Sequence, residues 1–414
     1  MTISSHDLAR HLLTIGGDER IVPAHADGTN RYFASPFPRE TVTYASSTAN
    51  DISADAFAHI AHLAADMGLD QDLSAETYGH ALEALRQRLR TTYRLAADTV
   101  IVFAASGTDL EFIALEAVKE RMSGGVRNVL LGADEVGSGC ILSAHGRYFA
   151  DSTATGHPTV KGEGVEGLET ADLTEVPVRD DQGNAYDSRT IAAAMRRAVD
   201  STLVEGMHPL LHIVHGSKTG LILPTLADVK SLVAEFGDKL SLVVDACQAR
   251  ITTEAIHAYL DMGAIVFVTG SKFMGGPPFS GMAFLPRGVV GRLRPPGKGM
   301  ATLFRRAEWP AAWPGREALP DTANAGLLVR LEAAVFELER FQALSFERVE
   351  QIINAFRDAV LELAIEINAD RVLAHAPEEI GEAAAHPIEM RSLVTLDLSH
   401  EGRDIDFDAA TSIQ

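Results

Sequence analysis

The stretch Leu242–Leu285, LVVDACQARITTEAIHAYLDMGAIVFVTGSKFMGGPPFSGMAFL, decides the fold. It holds two short apolar runs, VVD and AIVFVTG, each bounded by polar residues or glycine, as strands covered on both faces are. Between them TTEAIHAYLDMG has a helical period and stops at Gly263. Strand, helix and strand in this order predict a parallel βαβ unit. Ligands of open α/β sheets bind at the carboxyl ends of the strands. There the sequence sets an acid, Asp245, at the end of the first run and an amine, Lys272, just past the end of the second.

Such a pair suits a pyridine cofactor held as a lysine Schiff base. The amine can attack an aldehyde, and the acid can keep a ring nitrogen protonated so that the ring withdraws electrons. DACQ, then TGSK, then a Gly/Pro-rich turn resembles the class V branch of the fold-type I pyridoxal-phosphate enzymes. That branch includes cysteine desulfurases, kynureninases, isopenicillin-N epimerase-like proteins and several aminotransferases. Its motif is Asp-x-x-Gln followed some way on by Ser/Thr-x-x-Lys; Asp245 and Gln248 match the first, Thr269 and Lys272 the second. The resemblance implies that Asp245 pairs with the pyridinium nitrogen and Gln248 bonds the phenolic oxygen. It also implies that Ala246 lies under the ring, Thr269 holds phosphate and Lys272 carries the cofactor, pyridoxal 5′-phosphate.

The chain has 414 residues, enough for two or more structural units. A hydrophobic content of 46% fits a globular protein with a sizeable core. No apolar run approaches the roughly 18 residues of a membrane span, and MTISSHDLARHLLTIGGDER lacks the basic and apolar regions of a signal peptide. Two cysteines, Cys140 and Cys247, give no disulfide framework and fit a reducing, cytoplasmic setting. A net charge of −21 argues against nucleic acid and anionic membranes as partners.

Along the chain, apolar runs VIVFA, VRNVLLGA, PLLHIVHG, LSLVVDA, AIVFVTG and GMAFLP alternate with helical segments. This rhythm predicts an α/β fold with a mainly parallel sheet flanked by helices. Residues 1–30 read as an N-terminal segment, 31–324 as a large cofactor-binding domain and 325–414 as a smaller C-terminal α+β domain. Within the first two units, helix is expected over ADAFAHIAHLAADMGLD and residues 76–98. In the last, about 40 helical residues should precede two short strands in DRVLAHA and RSLVTLDLS. Against the resemblance this C-terminal unit is short or truncated.

AASGTDLEF, residues 104–112, follows a strand and opens a helix, so Ser106, Gly107 and Thr108 form a ready anion site for a cofactor phosphate. GADEVGSGCIL follows the next strand and puts Val136 where many relatives have a ring-stacking His, with Gly137, Ser138 and Gly139 after it. That departure disfavours desulfurase chemistry, as does the lack of a cysteine in residues 297–326. Cys140 after the glycines is read as an exposed thiol, Cys247 as a packing residue. In HIVHGSKTGLILP, Ser217 or Thr219 would lie near cofactor or substrate, and His215 at the strand end is a candidate proton carrier. No metal is expected: His212 and His215 point to opposite faces of a strand, and His59 and His62 share a helix face without a third ligand. Thr322 is the nearest match to a residue that reaches the phosphate of a partner subunit. Arg305, Arg306 and Arg391 are candidates for a substrate carboxylate, which favours a bidentate guanidinium.

By resemblance the chain is a pyridoxal-phosphate enzyme, a transferase or lyase, acting on an amino acid or amine as a homodimer with shared active sites. Aminotransferase chemistry is the leading expectation. The alternatives are β- or γ-elimination or substitution on an S-adenosylmethionine-like amino acid, including C–C bond formation, and a non-catalytic binding protein of the same fold.

Overall fold

The structure is a computed structural model and describes residues 4–41, 50–137, 139–181, 183–367, 369, 371–373, 386, 388–389 and 391–397. Among these, strands β1 (Val100–Ala104), β2 (Val126–Leu131), β3 (Ala171–Val176), β4 (His208–His215), β5 (Ile222–Leu223), β6 (Ser241–Asp245), β7 (Ile265–Thr269) and β8 (Gly281–Leu285) form one sheet. Its order is β1-β8-β7-β6-β4-β2-β3, with β5 added on β4. The pairs from β7 through β6, β4 and β2 to β3 are parallel, while β8 runs antiparallel to both β7 and β1. The fold is therefore the expected α/β one. All six apolar runs became strands. The polar edge strand β3, ADLTEV, was not expected, because a half-exposed edge needs no continuous apolar run.

Helices α1 (Ser5–Leu12), α2 (Ala54–Asp66), α3 (Ala75–Thr92), α4 (Leu110–Val118), α5 (Cys140–Ala144), α6 (Ser188–Val204), α7 (Leu226–Phe236), α8 (Thr253–Asp261) and α9 (Arg287–Val290) surround the sheet. The strands alternate their side chains between two cores. Val244, Val266 and Val268 face one, with Tyr259 of α8. Val243, Ile265 and Phe267 face the other, with Phe112 of α4 and both tryptophans, Trp309 and Trp313. Two covered faces explain why these strands read as unbroken apolar runs. α8 starts on an N-cap, Thr252, whose hydroxyl accepts from Ala255 N–H, and it yields to Gly263 at φ 83°.

α3 stops at Thr92, short of the expected residue 98. Arg94 turns left-handed at φ 50°, and Leu95 N–H closes the end on Arg90 O at 2.9 Å. The long C-terminal helix is two, α10 (Ala325–Gln342) and α11 (Phe346–Glu366), because Ser345 caps α11 by accepting from Arg348 N–H. α10 packs against α1, α2 and α3, and its buried Arg330 donates to the carbonyls of Ile15, Gly16 and Phe279. Strands β9 (Arg371–Leu373) and β10 (Thr395–Asp397) pair antiparallel, in the two segments expected to hold strands. Among the described residues no helix is long and apolar enough to cross a membrane.

Candidate active site

The sheet brings distant motifs to one edge. The ends of β1 and β7 meet the start of β8 in one row, Ala104 opposite Gly281 and Gly281 opposite Thr269. Asp245 ends β6 beside Phe267 of β7 and Val214 of β4. The approach is close enough to demand glycine twice. A Cβ on Gly281 would lie 2.6 Å from Ser106 O, and one on Gly107 would lie 2.8 Å from Thr269 Cγ2 and 3.3 Å from Cys247 Sγ. The SGT turn, the DACQ turn and the TGSK turn therefore touch.

Hydrogen bonds lock them. Thr269 Oγ1 donates to Cys247 O at 2.6 Å, Ala246 N–H to Phe267 O at 2.9 Å and Phe273 N–H to Gln248 O at 3.2 Å. Asp245 Oδ1 accepts from Cys247 N–H at 2.9 Å, which aims the carboxylate past the strand end. Its Oδ2 accepts no hydrogen bond among the described residues. The charges of Asp245 and Lys272 both act on the thiols of Cys140 and Cys247, which places acid and amine around one point. Burial is the main cause that pushes both thiols up, Asp245 adds to it, and Lys272 opposes it. Cys140 is thus buried, not exposed as expected, because α5 turns it inward. Neither cysteine offers a thiolate.

These residues fit a phosphorylated pyridine cofactor. Gln248 is 3% exposed and its Oε1 has no partner, so its carboxamide lacks the polar atom that a buried amide requires. At the start of α4 the N–H groups of Gly107 and Thr108 donate to no acceptor among the described residues, as an anion site needs. The Ser106 hydroxyl already donates to Asp109 Oδ2 at 2.6 Å, and Thr269 has given its proton to Cys247 O. A phosphate bound here would therefore meet backbone N–H groups and the Thr108 hydroxyl as donors.

One residue at this turn was missed. Arg20 donates to Ser106 Oγ at 3.0 Å and Thr108 Oγ1 at 3.3 Å. Asp18 grips its other edge, with Nε–Oδ1 at 2.7 Å and Nη2–Oδ2 at 2.6 Å. The guanidinium lies 4.8 Å from the Phe149 ring and 4.9 Å from the Phe279 ring. Phe279 itself sits at φ 69°, a strained backbone for a non-glycine residue. Behind the turn lie further buried charges. Glu308 accepts from Tyr78 and Arg305 N–H, and Asp109, buried beside Asp18, is pushed up to about 7, first by burial and then by the Asp18 charge. Nothing in GGDER signals contact with residues so far along the chain.

Val136 is buried in the core, and the adjacent Glu135 holds Ser217 Oγ at 2.6 Å, Thr219 and Arg179. His215 meets Tyr259 at 3.1 Å on one face of β4 and lies 3.4 Å from Glu389, whereas His212 pairs with Glu111 of α4 on the other. Arg305 donates to Ala154 O, Arg306 pairs with Asp321, Thr322 is exposed and Arg391 half-buried. Ser138 lies outside the described residues. Among the described residues no cluster of three or more His, Cys, Asp or Glu is placed to hold a metal. Lys272 opens into a cavity of about 410 Å³ that Arg39, Asn50, Asp51, Arg250 and Phe273 also line. None of Arg305, Arg306, Thr322 and Arg391 lines it. Arg250, two residues past Gln248, was not among the expected arginines.

No family model and no curated protein matches the chain by sequence. Solved structures do. Pyridoxamine-pyruvate aminotransferase from Mesorhizobium loti is 16% identical, with 89% of this chain and 80% of that one covered at a TM-score of 0.52. A C-DES mutant with glycine covalently linked to its PLP cofactor is 16% identical, with 84% and 80% covered at a TM-score of 0.52. At this identity the likeness shows the fold: the chain folds as fold-type I pyridoxal-phosphate enzymes do.

Proposed function

We propose that the chain is a pyridoxal-phosphate-dependent enzyme acting on an amino acid, of aminotransferase type. The observation that carries this is the convergence of Gly107, Cys247 and Thr269 beside Asp245 and Lys272 at one sheet edge. The bound cofactor supplies an electron sink for charge developing at the substrate α-carbon. Lys272 supplies the amine that binds the cofactor aldehyde. Lys272 would also be the base that accepts a proton from the substrate α-carbon and the acid that returns it. Asp245 Oδ2 would hold a proton on the ring nitrogen, and the Gln248 carboxamide would bond the phenolic oxygen. Gly107 and Thr108 donate to the phosphate, on a turn that Arg20 and Asp109 hold. On this reading residues 31–324 hold the cofactor, residues 325–414 form the smaller unit, and two copies share their sites through Thr322.

The test is reconstitution with pyridoxal phosphate, borohydride reduction and peptide mapping, followed by an amino-acid screen with products identified by mass. Label on Lys272, and its loss with the visible chromophore in Lys272→Ala, are expected. A chain that gains no chromophore, or is labelled elsewhere, refutes the proposal. A keto acid product marks transamination; an unsaturated or substituted product marks the lyase alternative, which the aliphatic Val136 favours over desulfuration. Bound cofactor without any product marks a binding protein.

A further inference from the structure

Behind the strand end that carries Asp245 lies a buried pair that the steps above leave unused. His212 is 0% exposed and Glu111 1%. His212 Nε2 lies 2.8 Å from Glu111 Oε1, and among the described residues the other carboxylate oxygen, Oε2, has no partner. The sheet aims this pair at Asp245. His212 of β4 lies opposite Val243 of β6, with Leu130 of β2 on its other side. Asp245 comes two residues after Val243, so its side chain leaves the same face of the sheet. Phe267 of β7, the register partner of Asp245, packs on that face and meets the His212 ring edge-on at 6.3 Å. α4 covers the face and carries Glu111 in its first turn. The charges that act on His212 are thus Glu111 from α4 and Asp245 from β6, while Leu130, Val243 and Phe267 bring none. The same two carboxylates act on the Cys140 thiol of α5. A carboxylate as buried as Glu111 is costly without a counter-charge, and an imidazolium between two carboxylates offsets both. Burial opposes a charge on His212, but the Glu111 charge and hydrogen bond, with Asp245, outweigh it and raise the imidazole pKa.

Resting on the cofactor reading above, we propose that Glu111 and His212 are positioning residues that keep the proton between Asp245 and a pyridine ring nitrogen on the nitrogen. Glu111 keeps His212 charged, and the imidazolium stabilises the Asp245 carboxylate. A proton shared between that carboxylate and a ring nitrogen then stays on the nitrogen instead of passing to Asp245. Charge alternates from Glu111 through His212 and Asp245 to the ring. Neither residue touches cofactor or substrate; both act through Asp245.

Nitrogen NMR tests this without knowledge of the substrate. In the wild-type apo protein labelled with ¹⁵N-histidine, one imidazole should still be protonated at about pH 8, above the ordinary histidine range. Glu111→Gln, which keeps the shape and removes the counter-charge, should neutralise it. The second measurement uses protein reconstituted with pyridoxal phosphate carrying ¹⁵N in the ring, whose signal reports the proton on that nitrogen. Two variants remove the His212 charge: Glu111→Gln, and the double variant Glu111→Leu, His212→Phe, which replaces the pair by apolar groups. In either, the proton should shift from the nitrogen toward Asp245 by about threefold to tenfold, the effect of one unit charge a strand away. Loss of stability alone would not move that signal. Wild-type histidines that are all neutral at about pH 8 overturn the proposal even if no variant folds. So does a histidine spectrum unchanged by Glu111→Gln, or a ring-nitrogen signal unchanged in a folded variant. A chain that takes up no pyridoxal phosphate fails the cofactor reading instead, and the histidine measurement on the apo protein tells the two failures apart.

Discussion

Replacing Arg20 by methionine removes four hydrogen bonds at once: two to Asp18, one to Ser106 and one to Thr108. The costs are unequal. Asp18 is 5% exposed; burial is the largest single influence and pushes its carboxyl up, but the Arg20 contacts together outweigh it and hold the carboxyl below the usual range. Without Arg20 that charge is stranded, which costs about 3–5 kcal/mol. In the double variant Asp18→Asn, Arg20→Met both charges are gone, and the loss should shrink to roughly 1–3 kcal/mol, the weight of the two hydroxyl contacts. Urea denaturation of the apo protein measures both. On the reconstituted protein, the double variant should also bind pyridoxal phosphate more weakly relative to pyridoxal, which lacks the phosphate, by about tenfold. The reasoning is refuted if Arg20→Met costs under about 1 kcal/mol, if the double variant loses as much as the single one, or if the phosphate preference stays intact.

Gly107→Ala should cost about 1–3 kcal/mol by overpacking against Thr269 Cγ2, and Thr269→Ser, which deletes that methyl, should recover most of it; no recovery would mean the clash lies elsewhere. Asp109, raised to about 7, binds its proton better in the folded than in the unfolded chain. Its contribution is therefore complete below the ordinary value of 3.8 and is lost as pH rises toward about 7. The apo protein should denature at lower urea near about pH 8 than near about pH 5, and Asp109→Asn should flatten that difference; parallel profiles for the two proteins would reject the assignment. Borohydride labelling at Lys272 completes the set.

Much of the fold could be read locally. Strands covered on both faces must be apolar along their length, so six of the eight strands of the main sheet stood out, whereas β3 at the edge and the two-residue β5 did not. The helix between Asp245 and Lys272 announced its period and its terminating glycine. The C-terminal stretch is helical as expected, and only the structure shows the cap at Ser345 that divides it into two helices.

The sequence by itself determined the sheet and the line of motifs along it. Spacing within a βαβ unit leaves little freedom in where Asp245 and Lys272 can end up, since both follow strands that must lie side by side. Arg20 and Arg250 were decided only by the tertiary structure. One lies in an N-terminal turn that touches Ser106 across 86 residues, and the other is held by Ser392 across 142. What distinguishes both is a buried guanidinium and the question of which carboxylate, if any, faces it. Arg20 has Asp18, and Arg250 has none among the described residues. Burial and counter-ions are properties of packed neighbours, and no local pattern of residues records them.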